Sequence, residues 1–193
     1  MTTVRWWLVR HAPVRGWDGR IYGCLDVPCD TGDAAAFASL AARLPTDPVL
    51  VESHLSRCRQ TAAALAEAGA RLPAPIVAPD LAEQNFGDWH NLPWSGIPDT
   101  GFWDAPTTNA PPGGESFADM LLRVRRGIER LSSDHGGRDI VAVVHAGTVR
   151  GALALALDLS PPAALRMAVD NLSLSRIDLT ERGWRVVTVN ARP

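Results

Sequence analysis

Short, continuously apolar runs alternate with amphipathic stretches along most of the chain. Residues 4–9 (VRWWLV), 48–52 (PVLVE) and 139–144 (DIVAVV) are apolar runs of strand length bounded by polar or turn-forming residues. Such runs predict strands buried on both faces. Between the first two, Ala35, Phe37, Leu40, Ala41 and Leu44 recur at helical spacing. They predict a helix over 33–44, capped by Asp30 or Thr31 and stopped by Pro45 and Pro48. A second helix is predicted from Arg57 to Ala68, with Gly69 as its stop. The clearest amphipathic stretch is 115–131, where Phe117, Met120, Leu121, Val124, Ile128 and Leu131 form one face and arginines the other. A further helix is predicted from Thr148 to Leu157. Residues 73–79 read as a short proline-flanked strand, and 172–179 with 184–189 as a closing hairpin around Glu181, Arg182 and Gly183. Residues 12–32 and 83–114 are irregular and rich in Gly and Pro. A loop as long as the second, inside a compact domain, usually carries function.

This order of elements predicts an α/β fold, a three-layer sandwich with a mostly parallel central sheet. The 193 residues suit one domain over 1–193. The net charge of −2 supplies no basic field, so no nucleic-acid partner is expected. No apolar run is long enough to span a bilayer, and the N-terminal run is too short for a signal-peptide core. A cytoplasmic protein with no membrane partner is expected. Cys24, Cys29 and Cys58 lack paired C-x-x-C spacing. They predict free thiols in a reducing compartment, Cys58 packed in the core, and no metal site. All nineteen basic residues are arginine. Without lysine there is no Schiff base and no lysine-type phosphate loop, so any phosphate clamp must use planar guanidinium donors.

Candidate chemistry gathers at strand ends. The first strand runs into Arg10-His11, and the 139–144 strand into His145-Ala146-Gly147. Adjacent parallel strands would set both imidazoles on the rim where α/β folds bind ligands. A single histidine there is more often a hydrogen-bonded core residue; two at equivalent ends favour a site. Arg57, at a helix start just past the second strand, would join Arg10 to flank them, unless both arginines form surface ion pairs. Two guanidiniums with a helix N-terminus at 147–149 make a phosphate cradle that needs no metal.

The motifs extend this pattern. Val9-Arg10-His11-Ala12, Ser53 to Thr61, Leu81 to Trp89, Pro112-Gly113-Gly114-Glu115-Ser116 and Val144 to Arg150 occur in one order. In that order the chain resembles the histidine phosphatase (phosphoglycerate mutase-like) superfamily, in its phosphatase branch. Tyr22-Gly23 and Asp26-Val27-Pro28 fit the loop after the first motif. The resemblance implies that His11 is the nucleophile and forms a phosphohistidine. It implies that Arg10, Arg57 and His145 bind the phosphoryl group, that His145 assists catalysis, and that Glu83 is the general acid. The implied activity is hydrolysis of a small phosphomonoester, with no cofactor; α-ribazole phosphatases and broad-specificity sugar-phosphate phosphatases are the nearest groups. A phosphoglycerate mutase-type phosphotransferase is one alternative, although the superfamily's mutases carry longer insertions after the acid motif. A non-catalytic phosphate- or phosphoprotein-binding module is the other.

Ala12 stands where the family has glycine, which matters only if that position needs positive φ. Pro13 replaces a common acidic residue, leaving the phosphate contacts of the 12–20 loop open. Asp26, Asp88, Glu115 and Asp119 read as turn or helix-start residues, and Arg150 as a structural ion pair. Trp17, Trp89, Trp94 and Trp103 lie on the loops, where they either serve the core or line a pocket for an apolar leaving group.

Overall fold

A computed structural model of the chain describes residues 2–17, 19–97 and 101–193, the Trp103 side chain excepted. In chain order the elements are β1 (Val4–Arg10), α1 (Ala34–Ala41), β2 (Val49–Glu52), α2 (Ser56–Glu67), β3 (Ile76–Val77) and α3 (Phe117–Asp134). There follow β4 (Asp139–Val144), α4 (Ala146–Leu157), α5 (Pro161–Leu165), β5 (Leu174–Thr180) and β6 (Gly183–Ala191). One six-stranded sheet runs β3-β2-β4-β1-β5-β6. Its first four strands are parallel, and β5 runs against both β1 and β6.

The continuous apolar runs are explained by helices on both faces. Val4, Trp6 and Leu8 of β1 join Ile140, Ala142 and Val144 of β4 against Met120, Val124, Ile128, Val149 and Leu153 of α3 and α4. The alternate residues Val9, Val141 and Val143 join Leu50 against Phe37, Leu40, Ala62 and Leu65 of α1 and α2. Each fully buried large aliphatic side chain contributes about 1.5–3 kcal/mol. Trp6 satisfies its indole N–H on Ser132 Oγ at 2.9 Å.

Local chemistry shifts several element boundaries. Asp33, not Asp30 or Thr31, caps α1 by accepting from Ala36 N, while Asp30 pairs with Arg15. Ser116 caps α3 in a reciprocal box with Asp119, so the helix starts at Phe117; it ends at Asp134. The 73–79 segment contributes only Ile76 and Val77, both exposed on the sheet edge, because Pro73, Pro75 and Pro79 offer no ladder N–H. The helix α5 was not predicted. It starts with two prolines and spans little more than one turn, too short for a periodic signal. The helix α4 begins at Ala146, two residues earlier than expected and immediately behind His145.

The helix following β1 leaves toward one face of the sheet and the helix following β4 toward the other. The two strands are neighbours, with Arg10 opposite Val144. Their carboxyl ends therefore open into the crevice expected at a topological switch point.

Candidate active site

His11 continues the β1–β4 ladder for one bond beyond β1, its N–H donating to Val144 O at 2.9 Å. That bond brings the His11 and His145 rings to 5.1 Å between centroids, tilted by 60°. The His11 Nδ1–H donates to the Ala12 carbonyl at 2.7 Å. A carbonyl can only accept, so the neutral ring carries its free lone pair on Nε2. Burial, then the Arg57 guanidinium, push the His11 pKa down to about 3, with the Ala12 carbonyl opposing them and Arg10 adding a smaller push. His11 is thus an unprotonated imidazole at neutral pH. Asn171 donates to the His11 carbonyl at 2.9 Å and Thr61 Oγ1 accepts from Ala12 N at 2.9 Å, fixing the strand end from both sides. The backbone at Ala12 keeps negative φ, so alanine in place of the family's glycine carries no conformational cost.

His145 is fully buried behind His11. Its Nε2 lies 2.7 Å from Ser53 Oγ and 3.4 Å from Cys58 Sγ. Burial first, and then His11, Arg57 and Arg10, hold its pKa well below the ordinary value. The Cys58 thiol is packed, as expected, and burial pushes its pKa up to about 12.

Arg57 sits in the first turn of α2 and is wholly buried. Its terminal nitrogens donate to the carbonyls of Leu25 and Gly23 at 2.7 and 2.6 Å, and the guanidinium lies 5.3 Å from the Tyr22 ring centre. Arg10 donates from NH1 to Val169 O at 2.6 Å. Among the described residues no carboxylate lies within ion-pair distance of either arginine. Four buried side-chain polar atoms of the described residues lack any partner, and three belong here: Arg10 Nε, Arg57 Nε and His145 Nδ1. Buried polar groups are normally satisfied. Three orphaned nitrogens, two of them on guanidiniums that no described carboxylate pairs, are groups that an anion could satisfy.

Glu83 reaches the same place from the long irregular segment. Its Oε2 accepts from Gly147 N at 3.2 Å and its Oε1 from Gln84 N at 3.0 Å. The close approach requires glycine at 147, since a Cβ there would collide with Glu83 Oε1 and with the Met120 thioether. The structure therefore brings Arg10, His11, Arg57, Glu83 and His145 together at one rim. Among the described residues, no three His, Cys, Asp or Glu side chains gather as metal ligands would.

Glu115 is more than a turn residue: it accepts from Asn85 N and takes both Nε and NH2 of Arg123. Arg123 also donates to the carbonyls of Asp80 and Ala82 at 2.8 and 3.1 Å. Together they clamp both sides of Glu83. The PGGES stretch was the available signal. Asp26 accepts from Ser56 N at the start of α2, and Asp119 closes the cap of α3, both as expected of helix-start residues. Arg150 forms no ion pair with a described residue, contrary to expectation; its Nε donates to Met167 O at 2.9 Å. A cleft of about 290 Å³ above Glu83 is lined by Tyr22, Phe86, Trp94, Phe117, Gly147 and Arg150, among others. Of the four loop tryptophans, Trp94 lines this cleft. Trp89 is buried edge-on against Phe102, and Trp17 packs edge-on to Tyr22. The Trp103 side chain lies outside what the structure describes.

The model of the histidine phosphatase superfamily (branch 1) matches residues 6–192. A bifunctional protein of Mycobacterium tuberculosis is 35% identical over 145 residues, which cover 72% of this chain and 39% of that protein. The chain thus spans about two-fifths of the length of such mycobacterial relatives. An adenosylcobalamin/alpha-ribazole phosphatase of Salmonella typhimurium is 30% identical over 199 residues, covering 98% of this chain and 97% of that one. The crystal structure of the alpha-ribazole phosphatase from Shigella flexneri superposes with a TM-score of 0.84 at 25% identity, covering 97% and 96% of the two chains. No helix among the described residues is long and apolar enough to cross a membrane.

Proposed function

Because this chain belongs to the histidine phosphatase superfamily, we propose that it hydrolyses small phosphomonoesters through a phosphohistidine on His11, without a metal ion. The observation that carries this reading is the convergence of three unpaired buried nitrogens, on Arg10, Arg57 and His145, beside a neutral imidazole whose tautomer is fixed. The Nε2 lone pair of His11 attacks phosphorus in line with the leaving oxygen. As the N–P bond forms, the ester P–O bond breaks and its electron pair departs on the alkoxide, which takes a proton from Glu83. The ring becomes cationic in this step, and the Ala12 carbonyl on Nδ1–H stabilises it. Arg10, Arg57 and His145 donate to the non-bridging oxygens, where charge accumulates. For Nδ1 of His145 to donate in this way the ring must carry its proton there, which makes Nε2 the acceptor of the Ser53 hydroxyl. An arriving phosphate dianion then favours a second proton on the ring. In the second half a water attacks phosphorus, Glu83 takes the water's proton, and the N–P electron pair returns to His11.

The test is release of inorganic phosphate from a panel of small phosphomonoesters, with chelator present and no bisphosphate primer. The reading expects release by the wild-type protein and its loss in His11→Ala. Release that requires a primer would make the protein a mutase-type phosphotransferase. Release that requires added metal would overturn the metal-free reading, and release that survives in His11→Ala would remove His11 from the mechanism.

A further inference from the structure

The peptide unit between His11 and Ala12 is gripped at both polar ends. Its carbonyl, that of His11, accepts from Asn171 Nδ2 at 2.9 Å, and its N–H, that of Ala12, donates to Thr61 Oγ1 at 2.9 Å. The single hydroxyl proton of Thr61 is committed elsewhere, to Arg57 O at 2.7 Å, so the oxygen meets Ala12 as an acceptor. Thr61 is fully buried, one turn beyond Arg57 on α2. One hydroxyl therefore ties the strand end that carries His11 to the helix turn that carries Arg57. Asn171 comes from the segment before β5, which is itself bound to Arg10. Val169 O accepts from Arg10 NH1 at 2.6 Å, and Leu172 N donates to Arg10 O at 3.0 Å. Leu172 is buried with φ at +57°, a left-handed conformation that residues with a Cβ rarely adopt. Strain of this kind persists only where the surroundings over-determine it, and it clusters at functional sites. Here it stands next to the amide that reaches His11 O.

With the peptide plane fixed, a single torsion, ψ of Ala12, decides where the Ala12 carbonyl points. Pro13 restricts that torsion, because a residue before proline is held extended. The carbonyl so aimed is the acceptor of His11 Nδ1–H at 2.7 Å. We propose that Thr61 and Asn171 are positioning residues of the reaction: by holding this peptide they keep the His11 proton on Nδ1 and the Nε2 lone pair free for phosphorus. The inference rests on the phosphatase reading of the same site. Neither side chain needs to touch the substrate; both act through the backbone on the ring that does.

The test pairs kinetics with a signal from the ring itself. In protein labelled with ¹⁵N-histidine, the His11 resonances are identified by their absence in His11→Gln. In the wild-type protein they should show a protonated Nδ1 and a bare Nε2. Thr61→Val keeps the shape of the side chain but strands the Ala12 N–H, and Asn171→Ala frees the His11 carbonyl. In each variant both ring nitrogens should move toward intermediate shifts as the two tautomers mix. For the ester that the wild-type protein hydrolyses best, kcat/KM should fall roughly three- to tenfold in each, as for loss of one hydrogen bond. Thr61→Ser keeps the hydroxyl and should restore both the ring signal and the rate. Unchanged kcat/KM in both variants, or a fall that leaves the ring signals at their wild-type shifts, would overturn the proposal and leave the phosphatase reading standing. Wild-type protein that shows the bare Nε2 yet releases phosphate from no ester would overturn the phosphatase reading, and the proposal with it.

Discussion

Gly147→Ala tests the role of Glu83 by displacing its carboxyl group rather than removing it. Position 147 lies within α4, where alanine is favoured over glycine by about 0.8–1.0 kcal/mol. The new Cβ meets Met120 Cε and Sδ at 2.7 and 2.9 Å and collides with Glu83 Oε1. Overpacking of this kind costs about 1–3 kcal/mol, so net destabilisation should be about 0–2 kcal/mol and the fold should persist. Met120 is flexible and yields. The Glu83 carboxylate must swing away and give up its 3.2 Å bond from Gly147 N. If Glu83 protonates the leaving alkoxide, kcat/KM for an alkyl phosphate should fall by about 10²–10⁴. For p-nitrophenyl phosphate, whose phenolate leaves without a proton, it should fall far less. The ratio kcat/KM reports only the steps through P–O cleavage, so later turnover of the phosphohistidine does not blur the comparison. Gly151→Ala is the control: its Cβ meets Val124 at 2.8 Å and Leu121 at 3.4 Å but does not approach Glu83. Equal losses for the two esters in Gly147→Ala, or the same leaving-group bias in Gly151→Ala, would refute the reasoning.

Other outcomes follow from the same geometry. Arg57→Lys should lower kcat/KM by about 10²–10³, as for loss of one preorganised donor, because an ammonium cannot serve Gly23 O, Leu25 O and the phosphoryl oxygen together; steady-state kinetics check this. The depressed pKa of His11 makes stability full above pH 6.5 and lost as the pH falls toward 3, since the unfolded chain binds a proton that the native ring refuses. Urea titrations between pH 7 and pH 4 should therefore show a shallower decline in His11→Gln, by up to about 1.4 kcal/mol per pH unit; an unchanged slope would contradict this. Arg123→Met removes the bidentate bond to Glu115 and two carbonyl contacts beside Glu83. It should cost about 1–3 kcal/mol in urea unfolding and selectively slow alkyl phosphates.

The strands that carry the site were legible because burial on both faces writes an unbroken apolar run, as in VRWWLV and DIVAVV, and each run ends at a histidine. The amphipathic face of α3 was equally clear. Less legible was whatever depends on one or two residues. The edge strand Ile76–Val77 has its signal cut by prolines, α5 is too short to be periodic, and the true start of α4 is set by its packing behind His145. Sheet order is not local information, so the meeting of His11 with His145 rested on motif order until register placed Arg10 beside Val144. Supporting bonds were invisible for the same reason. Ser53 and Asn171 are separated from their partners by 92 and 160 residues, and Arg123 from Asp80 by 43. The expectation of an ion pair at Arg150 failed because a sequence gives a residue's charge but not whether an acid stands opposite it.

The central claim is that His11 Nε2 becomes the phosphoryl carrier. Mixing the protein with a ³²P-labelled phosphomonoester, quenching in alkali within milliseconds and mapping the label tests it most directly. The account predicts a base-stable, acid-labile label confined to the peptide containing His11 and missing in His11→Ala. Phosphate release with no such label, or a label on another residue, would contradict it.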